Sequence, residues 1–415
     1  MDHVMRKTWH KWLLAPYILL SGIYLLAFNT IGAKVLSWRI DQLFLIILIL
    51  VQILIPFLFI KDLKFSPKSF KVSFVALLAF ILLYTASAIL YMVGKDIRSV
   101  FEVMPTILLV LPSFLSAFLL SQKTHKQDFL LKILFFIVFG ASLIDYYLFV
   151  SYFESRDADF LAQSNNGGYS MLVLIPLGLY AFRGTKIIRI LVPIVLSGLI
   201  LYSSKRGAII ILGIVLSYII FKTLGSASGL KKWILIIACF VAIYFATTRL
   251  NILELNFLQR FNQEGGSGRD IIYSSILDSI GSFSFGELLV GRGFYSVQEF
   301  LNRIFKIPLW AHNDWLQIAH DLGLLGLTSY TLLLLSLFYL YKWVNKRGKY
   351  EGFIIFACLL IWISKSLVSG VFMDKSCLVL IQTIGFCCGS IYSSARNTQM
   401  REEYSKRHYY WTNYA

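Results

Sequence analysis

Long apolar runs alternate with short polar segments along most of the chain, and this alternation predicts membrane-spanning helices. A helix needs about 20 consecutive apolar residues to cross a hydrocarbon core of roughly 30 Å. Runs near this length lie at 13–28, 42–60, 72–93, 104–121, 129–152, 167–182, 188–203, 207–221, 233–247, 322–341, 352–370 and 376–394. We therefore predict an all-α integral membrane protein, one polytopic domain over residues 1–415 with about 12 transmembrane helices.

The segment 248–321 departs from this pattern, since its apolar residues form no run long enough to cross a membrane. Two stretches within it still carry apolar residues at helical spacing. The first comprises Ile272, Ile276, Leu277 and Ile280, and the second comprises Val297, Phe300, Leu301, Ile304 and Phe305. This spacing predicts short amphipathic helices that lie on the membrane surface. The segment is therefore predicted to be one large, folded loop.

The charge distribution predicts the orientation of the chain. Lys and Arg number 39 and Asp and Glu number 22, for a net charge of +17 in a chain that is 58% hydrophobic. The cations collect in alternate short loops, which is typical of loops on the cytoplasmic side. This pattern predicts that both termini are cytoplasmic and that the large loop is extracytoplasmic. Because this distribution accounts for most of the surplus, no nucleic-acid partner is predicted.

A positively charged turn, Lys205-Arg206-Gly207, separates two apolar runs on the predicted outer side. The N-terminus of a helix carries partial positive charge, so an arginine there is disfavoured unless an anion shares the site. Free N–H groups and a guanidinium together favour phosphate. The alternative is that Arg206 is an interfacial residue that only marks the helix end.

The large loop carries further arginines: Arg260, Arg269, Arg292 and Arg303. Guanidinium groups match phosphate oxygens in bidentate contacts, so this set suits a lipid diphosphate. The alternative is ordinary surface charge, paired with the loop's acidic residues.

His312 is the candidate for proton chemistry, because an imidazole with an ordinary pKa near 6.5 accepts a proton at neutral pH. It is followed by Asn313 and Asp314, and Asp314 is predicted to orient the ring or to position an acceptor. His320 lies eight residues further on, which does not match the helical spacing of a zinc pair, so no metal site is predicted. An interfacial structural role for His312 remains the alternative. Two charged residues inside spans, Asp145 and Lys365, are secondary candidates.

Four elements in this order resemble the O-antigen ligase and polymerase superfamily of bacterial envelope glycosyltransferases. The resemblance covers about residues 191–341. The elements are Ser204-Lys205-Arg206-Gly207, Gly268-Arg269, Gly291-Arg292-Gly293-Phe294, and His312-Asn313 leading into Gly323-Leu324-Leu325-Gly326. Lys205 departs from the superfamily pattern, in which a small or hydroxyl residue is common at this position.

The resemblance implies transfer of a glycan from an undecaprenyl-diphosphate carrier to an acceptor sugar hydroxyl at the outer face of the plasma membrane, without a metal or another cofactor. It implies that Arg206 and Arg269 bind the departing diphosphate and that His312 activates or positions the acceptor. Residues implied to assist in substrate binding are Lys205, Arg260, Arg292, Asn313 and Asp314.

A repeat-unit polymerase is favoured, with a flippase and a chain-length regulator as partner proteins. The alternatives are a ligase that joins the polysaccharide to a lipid A core and, from another class, a transporter or flippase for a lipid-linked oligosaccharide.

Overall fold

A computed structural model of the chain describes residues 66–92, 97–122, 127–154, 167–203, 205–223, 269–306, 309–372 and 374–414, with a few single residues within 16–54 and 229–237. These residues form helices and no strands. The helices are α1 (Lys68–Met92), α2 (Ile97–Ser121), α3 (Gln127–Glu154), α4 (Gly167–Ala181), α5 (Lys186–Tyr202), α6 (Arg206–Thr223), α7 (Arg269–Gly281), α8 (Phe285–Val290), α9 (Ser296–Phe305), α10 (Asp314–Asn345), α11 (Lys349–Val368) and α12 (Ser376–Tyr414). The predicted all-α class is confirmed for this part of the chain.

Five of the described helices are long and apolar enough to cross a membrane: α1, α2, α10, α11 and α12. Helix α4 is a shorter apolar helix. The apolar runs 13–28, 42–60 and 233–247 fall almost wholly outside the described residues. Large apolar side chains remain exposed on the bundle, for example Leu90 and Ile187 at 75% each. Exposed apolar surface of this kind suits contact with lipid, as expected of a membrane protein.

Small residues allow α2 and α12 to pack closely. A Cβ atom added at Gly385 would lie 2.7 Å from the Phe114 carbonyl oxygen, and one at Gly389 would overlap the Phe118 carbonyl. The two glycines are four residues apart, so they lie on one face of α12. Glycines at this spacing let helix backbones approach each other in membranes, where packing drives association.

The connections between helices lie at two opposite ends of the bundle. At one end Arg183, after α4, pairs with Asp128 of α3 at 2.7 Å. At the other end Gly168 of α4 packs against the α5–α6 turn, and Tyr91 of α1 donates a hydrogen bond to Glu299 of α9 at 2.9 Å. The second end carries α7, α8 and α9 and is called the site end below.

Both stretches predicted as short helices in the large loop are helical, as α7 and α9, and α8 is an additional helix that the spacing did not predict. They share a small apolar cluster of Ile272, Ile276, Val297, Leu301 and Ala311. Leu277 and Ile304 lie outside this cluster, at 55% and 48% exposed, although they belong to the predicted apolar stripes.

Helix α10 begins earlier than the predicted span, at Asp314, where the Asn313 side chain accepts a hydrogen bond from the Leu316 N–H. It is broken at Gly323, whose φ of 60° and ψ of −154° are not helical. A Cβ there would lie 2.6 Å from the Leu288 carbonyl oxygen of α8. The glycine is therefore required both by its backbone conformation and by the close approach of α8.

Candidate functional site

The turn between α5 and α6 packs tightly at the site end. A Cβ added at Gly168 would lie 3.2 Å from Lys205 Cβ, and one at Gly207 would overlap the Tyr169 hydroxyl and approach Val368 at 3.4 Å. Gly207 therefore has no room for a side chain. Arg206 is the first residue of α6 and is partly buried. The turn thus lies between the start of α4 and the end of α11.

The C-terminal end of α11 brings three of the sequence elements together. Arg269 Nη1 donates a hydrogen bond to the Val368 carbonyl, and Asn313 Nδ2 donates one to the Leu367 carbonyl at 3.0 Å. Gly207 packs against Val368 from a third direction. The last carbonyls of a helix lack partners within the helix, so they accept hydrogen bonds from other elements. The end of α11 is therefore the point that positions Arg269, Asn313 and the α5–α6 turn relative to one another.

His312 lies in this group with an unusual backbone. Its φ is 52°, in the left-handed region that residues other than glycine rarely adopt. Its carbonyl accepts a hydrogen bond from the Tyr273 hydroxyl of α7 at 3.0 Å. Burial, followed by the positive charges of Arg269, Lys205 and Lys365, lowers the pKa of His312 to about 4. The imidazole is therefore neutral at pH 7, and we call Lys205, Arg269 and Lys365 the cation cluster.

Lys365, a secondary candidate from the sequence, is completely buried beside the site. Its ammonium donates hydrogen bonds to the Gly370 carbonyl at 2.6 Å, to the Asp374 carboxylate and to Ser376 Oγ at 2.9 Å. Burial acts to raise the pKa of Asp374, but the Lys365 ammonium outweighs it and holds that pKa below its usual range. The pair fixes the α11–α12 connection, and the ammonium also lies 5.1 Å from the centre of the Tyr169 ring.

Asp314 was predicted to orient the imidazole or to position an acceptor, but its hydrogen bonds in the structure go to other groups. Its Oδ2 accepts hydrogen bonds from the N–H groups of Val371 and Phe372, at 2.8 and 3.2 Å, and from the Tyr330 hydroxyl at 3.2 Å. The Tyr330 oxygen in turn accepts from Trp362 Nε1 at 3.0 Å. These contacts assign Asp314 to holding the α11–α12 connection against α10. Asn313 likewise is engaged, both as the cap of α10 and with Leu367.

Arg292 belongs to a separate polar cluster around His320. Its guanidinium donates to Glu287 Oε1 at 2.8 Å and to Ser279 Oγ at 3.1 Å. Backbone and side-chain hydrogen bonds from Ser284, together with one from Arg292, lower the pKa of Glu287 to about 2. These contacts pair Arg292 with a carboxylate and do not join it to the cation cluster.

The polar cluster around His320 connects α7, α9 and α10. Ser279 Oγ lies 3.1 Å from His320 Nε2, and Ser296 Oγ lies 2.8 Å from His320 Nδ1. Ser296 also donates to Asp321 Oδ1 at 2.8 Å. The backbone N–H groups of Arg292 and Gly293 donate to the carbonyls of His320 and Asp321. The Gly291-Arg292-Gly293-Phe294 element therefore has a structural role, which is to fasten the loop helices to α10 near the break at Gly323.

Two of the candidate residues lie outside what the structure describes. Arg260 falls within the segment 251–268, and the side chain of Asp145 is likewise not described. Ser204 and Gly268, which complete two of the motifs, are also outside the described residues. Among the described residues, no group of three or more His, Cys, Asp and Glu side chains is placed to hold a metal ion.

Two aromatic residues at the site were not predicted from the sequence. Tyr273 holds the His312 carbonyl, and Tyr169 packs between the α5–α6 turn and Lys365. Tyr273 belongs to an apolar helical pattern, and Tyr169 follows two glycines at the start of an apolar run. Neither position carries a motif, so only their tertiary contacts distinguish them from ordinary core tyrosines. Lys365, by contrast, was detectable as a cation within an apolar run.

Neither the models of known protein families nor the curated proteins compared with this chain match it.

Proposed function

We propose that this protein is a membrane glycosyltransferase that moves a glycan from an undecaprenyl-diphosphate carrier to the hydroxyl of an acceptor sugar. The observation that carries this proposal is that Arg269, the α5–α6 turn and Asn313, the residue after His312, all meet at the end of α11. Burial and the cation cluster keep the imidazole of His312 neutral there. Cations suit a diphosphate leaving group, and a neutral imidazole suits proton transfer from a hydroxyl. The ordered motifs on the same elements support the same activity.

In the proposed reaction the acceptor oxygen attacks the anomeric carbon of the glycan, and the bond from that carbon to the diphosphate breaks. The acceptor proton passes to His312, and the diphosphate leaves with the electron pair of the broken bond. Lys205, Arg206 and Arg269 stabilise its negative charge as it develops. The diphosphate also offsets the cations that depress the pKa of His312. Binding of the carrier therefore makes the imidazole a stronger base in the complex than in the free protein.

A polymerase and a ligase would share this step and differ in the acceptor. We favour the polymerase, whose acceptor is a second lipid-linked repeat unit; the ligase alternative takes a lipid A core. The transporter alternative rested on charged residues within spans. Lys365, however, is held by Asp374 and Ser376 at the end of α11, which gives it a structural task there. We therefore rank the transporter below the enzyme.

We further propose about twelve spans, both termini in the cytoplasm, and the site end at the outer face of a bacterial plasma membrane. Helix α8 offers a test of this placement. Its large apolar side chains are exposed, with Phe285 at 77% and Val290 at 59%. Helix α8 packs against α10 at Gly323, and the two residues that follow this break, Leu324 and Leu325, are also exposed. The exposed face of α8 thus continues the surface of a helix that can span the membrane.

Helix α8 is expected to insert its apolar face into the lipid interface, because this removes exposed apolar surface from water. A nitroxide label at Phe285→Cys in proteoliposomes should collide more often with oxygen than with a water-soluble nickel complex. A label at Lys306→Cys, an exposed position at the end of α9, serves as the matched control and should show the reverse preference. Equal exposure of both labels to the nickel complex would contradict the placement.

The proposed activity is tested with purified protein in liposomes that contain an undecaprenyl-diphosphate-linked oligosaccharide. The wild-type protein should lengthen the oligosaccharide without an energy source. Arg269→Ala should lower the rate about 100-fold, the scale of losing one preorganised donor at a developing charge. Arg303→Ala is the matched control, since this arginine is exposed on α9, and it should retain the wild-type rate. Carrier movement across the bilayer without bond formation would instead support the transporter.

A further inference from the structure

Tyr169 carries a buried hydroxyl group for which the described residues provide no hydrogen-bond partner. The side chain is only 1% exposed. A buried hydroxyl without a partner is costly, and the great majority of such groups are satisfied in folded proteins. An unsatisfied buried group within a candidate site therefore indicates a ligand that supplies the missing partner.

The surroundings of Tyr169 indicate the charge of that ligand. The ammonium groups of Lys365 and Lys205 lie 5.1 and 5.8 Å from the centre of its ring. Its hydroxyl is directed at Gly207, the residue after Arg206, where any side chain would overlap it. Tyr169 also lies close enough to Tyr273, which holds His312, to influence the ionisation of that phenol. The Tyr169 side chain thus lies where α4, α6 and α11 meet, with its hydroxyl against Gly207 and its ring near two positively charged side chains.

We infer that the Tyr169 hydroxyl is a ligand-contacting group that donates a hydrogen bond to a phosphate oxygen held by Lys205 and Arg269. A phosphate oxygen accepts hydrogen bonds readily and is attracted by both cations, so it satisfies the donor and the charges together. The identification of this phosphate as part of a lipid diphosphate rests on the proposed function. This contact also gives a reason for the Arg-Gly sequence, because Gly207 leaves the space that the hydroxyl occupies.

The test compares Tyr169→Phe with the wild-type protein, using inorganic pyrophosphate as the probe. Pyrophosphate affinity, measured by calorimetry on detergent-solubilised protein, should fall about 10- to 100-fold in the variant, the scale of a hydrogen bond to a charged group. The KM for the lipid-linked substrate should rise as the pyrophosphate affinity falls. The melting temperature without ligand should stay the same or increase, because the variant removes only an unsatisfied polar atom. A hydroxyl with a purely structural role would instead lower that temperature and leave the affinity unchanged.

Tyr180→Phe is the matched control, since it removes a buried hydroxyl from the other end of α4 that donates to the Phe386 carbonyl at 3.4 Å. Its pyrophosphate affinity should equal that of the wild type. If Tyr169→Phe binds pyrophosphate like the wild type, or the wild type does not bind it, the inference is overturned even where glycan transfer is observed. If affinity falls in Tyr169→Phe but no transfer occurs in the wild type, the anion-binding role stands and the glycosyltransferase proposal fails.

Discussion

Replacing His312 with asparagine is expected to lower the rate of glycan transfer by about 10²- to 10⁴-fold, the usual contribution of a positioned general base. Asparagine tolerates the left-handed backbone at this position, with a φ of 52°, better than most residues do, but it cannot take up a proton. The variant therefore removes the proton acceptor while sparing the conformation. The measurement is the initial rate of oligosaccharide lengthening in liposomes at equal amounts of folded protein.

The matched control for His312→Asn is Lys306→Asn, at another left-handed position, with a φ of 59°, on the exposed end of α9. This variant should transfer glycan at the wild-type rate. A His312→Asn protein that is folded and retains more than about a tenth of the wild-type rate would contradict the assigned role, which requires a loss of at least 10²-fold.

The same base predicts a distinctive pH profile. In the free protein the pKa of His312 is lowered from 6.5 to about 4 by burial and by the positive charges of Arg269, Lys205 and Lys365. The imidazole accepts a proton only when it is neutral, so kcat/KM should stay level as the pH falls through 6.5 and decline only near pH 4. As the pH is lowered, kcat should begin to decline at a higher pH than kcat/KM does. The reason is that the bound diphosphate counters the cations and so raises the pKa of His312 in the complex. A decline of kcat/KM centred near pH 6.5 would show that burial and the cation cluster do not lower the pKa of this ring.

Replacing Asp314 with alanine is expected to destabilise the protein by about 3 kcal/mol, because buried donors are left without an acceptor. These donors are the N–H groups of Val371 and Phe372 and the hydroxyl of Tyr330. The rate of glycan transfer should also fall in this variant, since the α11–α12 connection would no longer be held against the start of α10. The measurement is the midpoint of unfolding in detergent, together with the transfer rate.

Asp314→Asn is the matched control, because its amide oxygen still accepts hydrogen bonds in the same place. Most of the stability should return in this variant, and so should transfer if Asp314 acts only through position. Full stability in Asp314→Asn with transfer as low as in Asp314→Ala would show instead that the carboxylate contacts the reacting groups. That result would support the role that the sequence predicted for this residue.

The polar residues at the site were only partly interpretable before their contacts were known. The alternation of apolar runs predicted that Arg269 and His312 lie on the same side of the membrane, and the structure brings the two residues together. Arg292 carries the same side chain in an equally suggestive glycine motif, yet it pairs with Glu287 and Ser279. Sequence spacing does not reveal which carboxylate lies opposite an arginine, because the partner depends on how separate helices pack.

What the sequence determined by itself was the helical class, since runs of apolar residues leave the backbone no way to satisfy its polar groups in lipid other than a helix. It also determined the two loop helices at 269–281 and 296–305, through their apolar spacing. The tertiary structure decided the meeting of the α5–α6 turn, Arg269 and Asn313 at the end of α11, the burial of Lys365 and the position of Tyr169. These depend on contacts between residues far apart in the chain, which no local pattern encodes. The pKa of His312 belongs to the same class, because burial and three positive charges from three different segments set it.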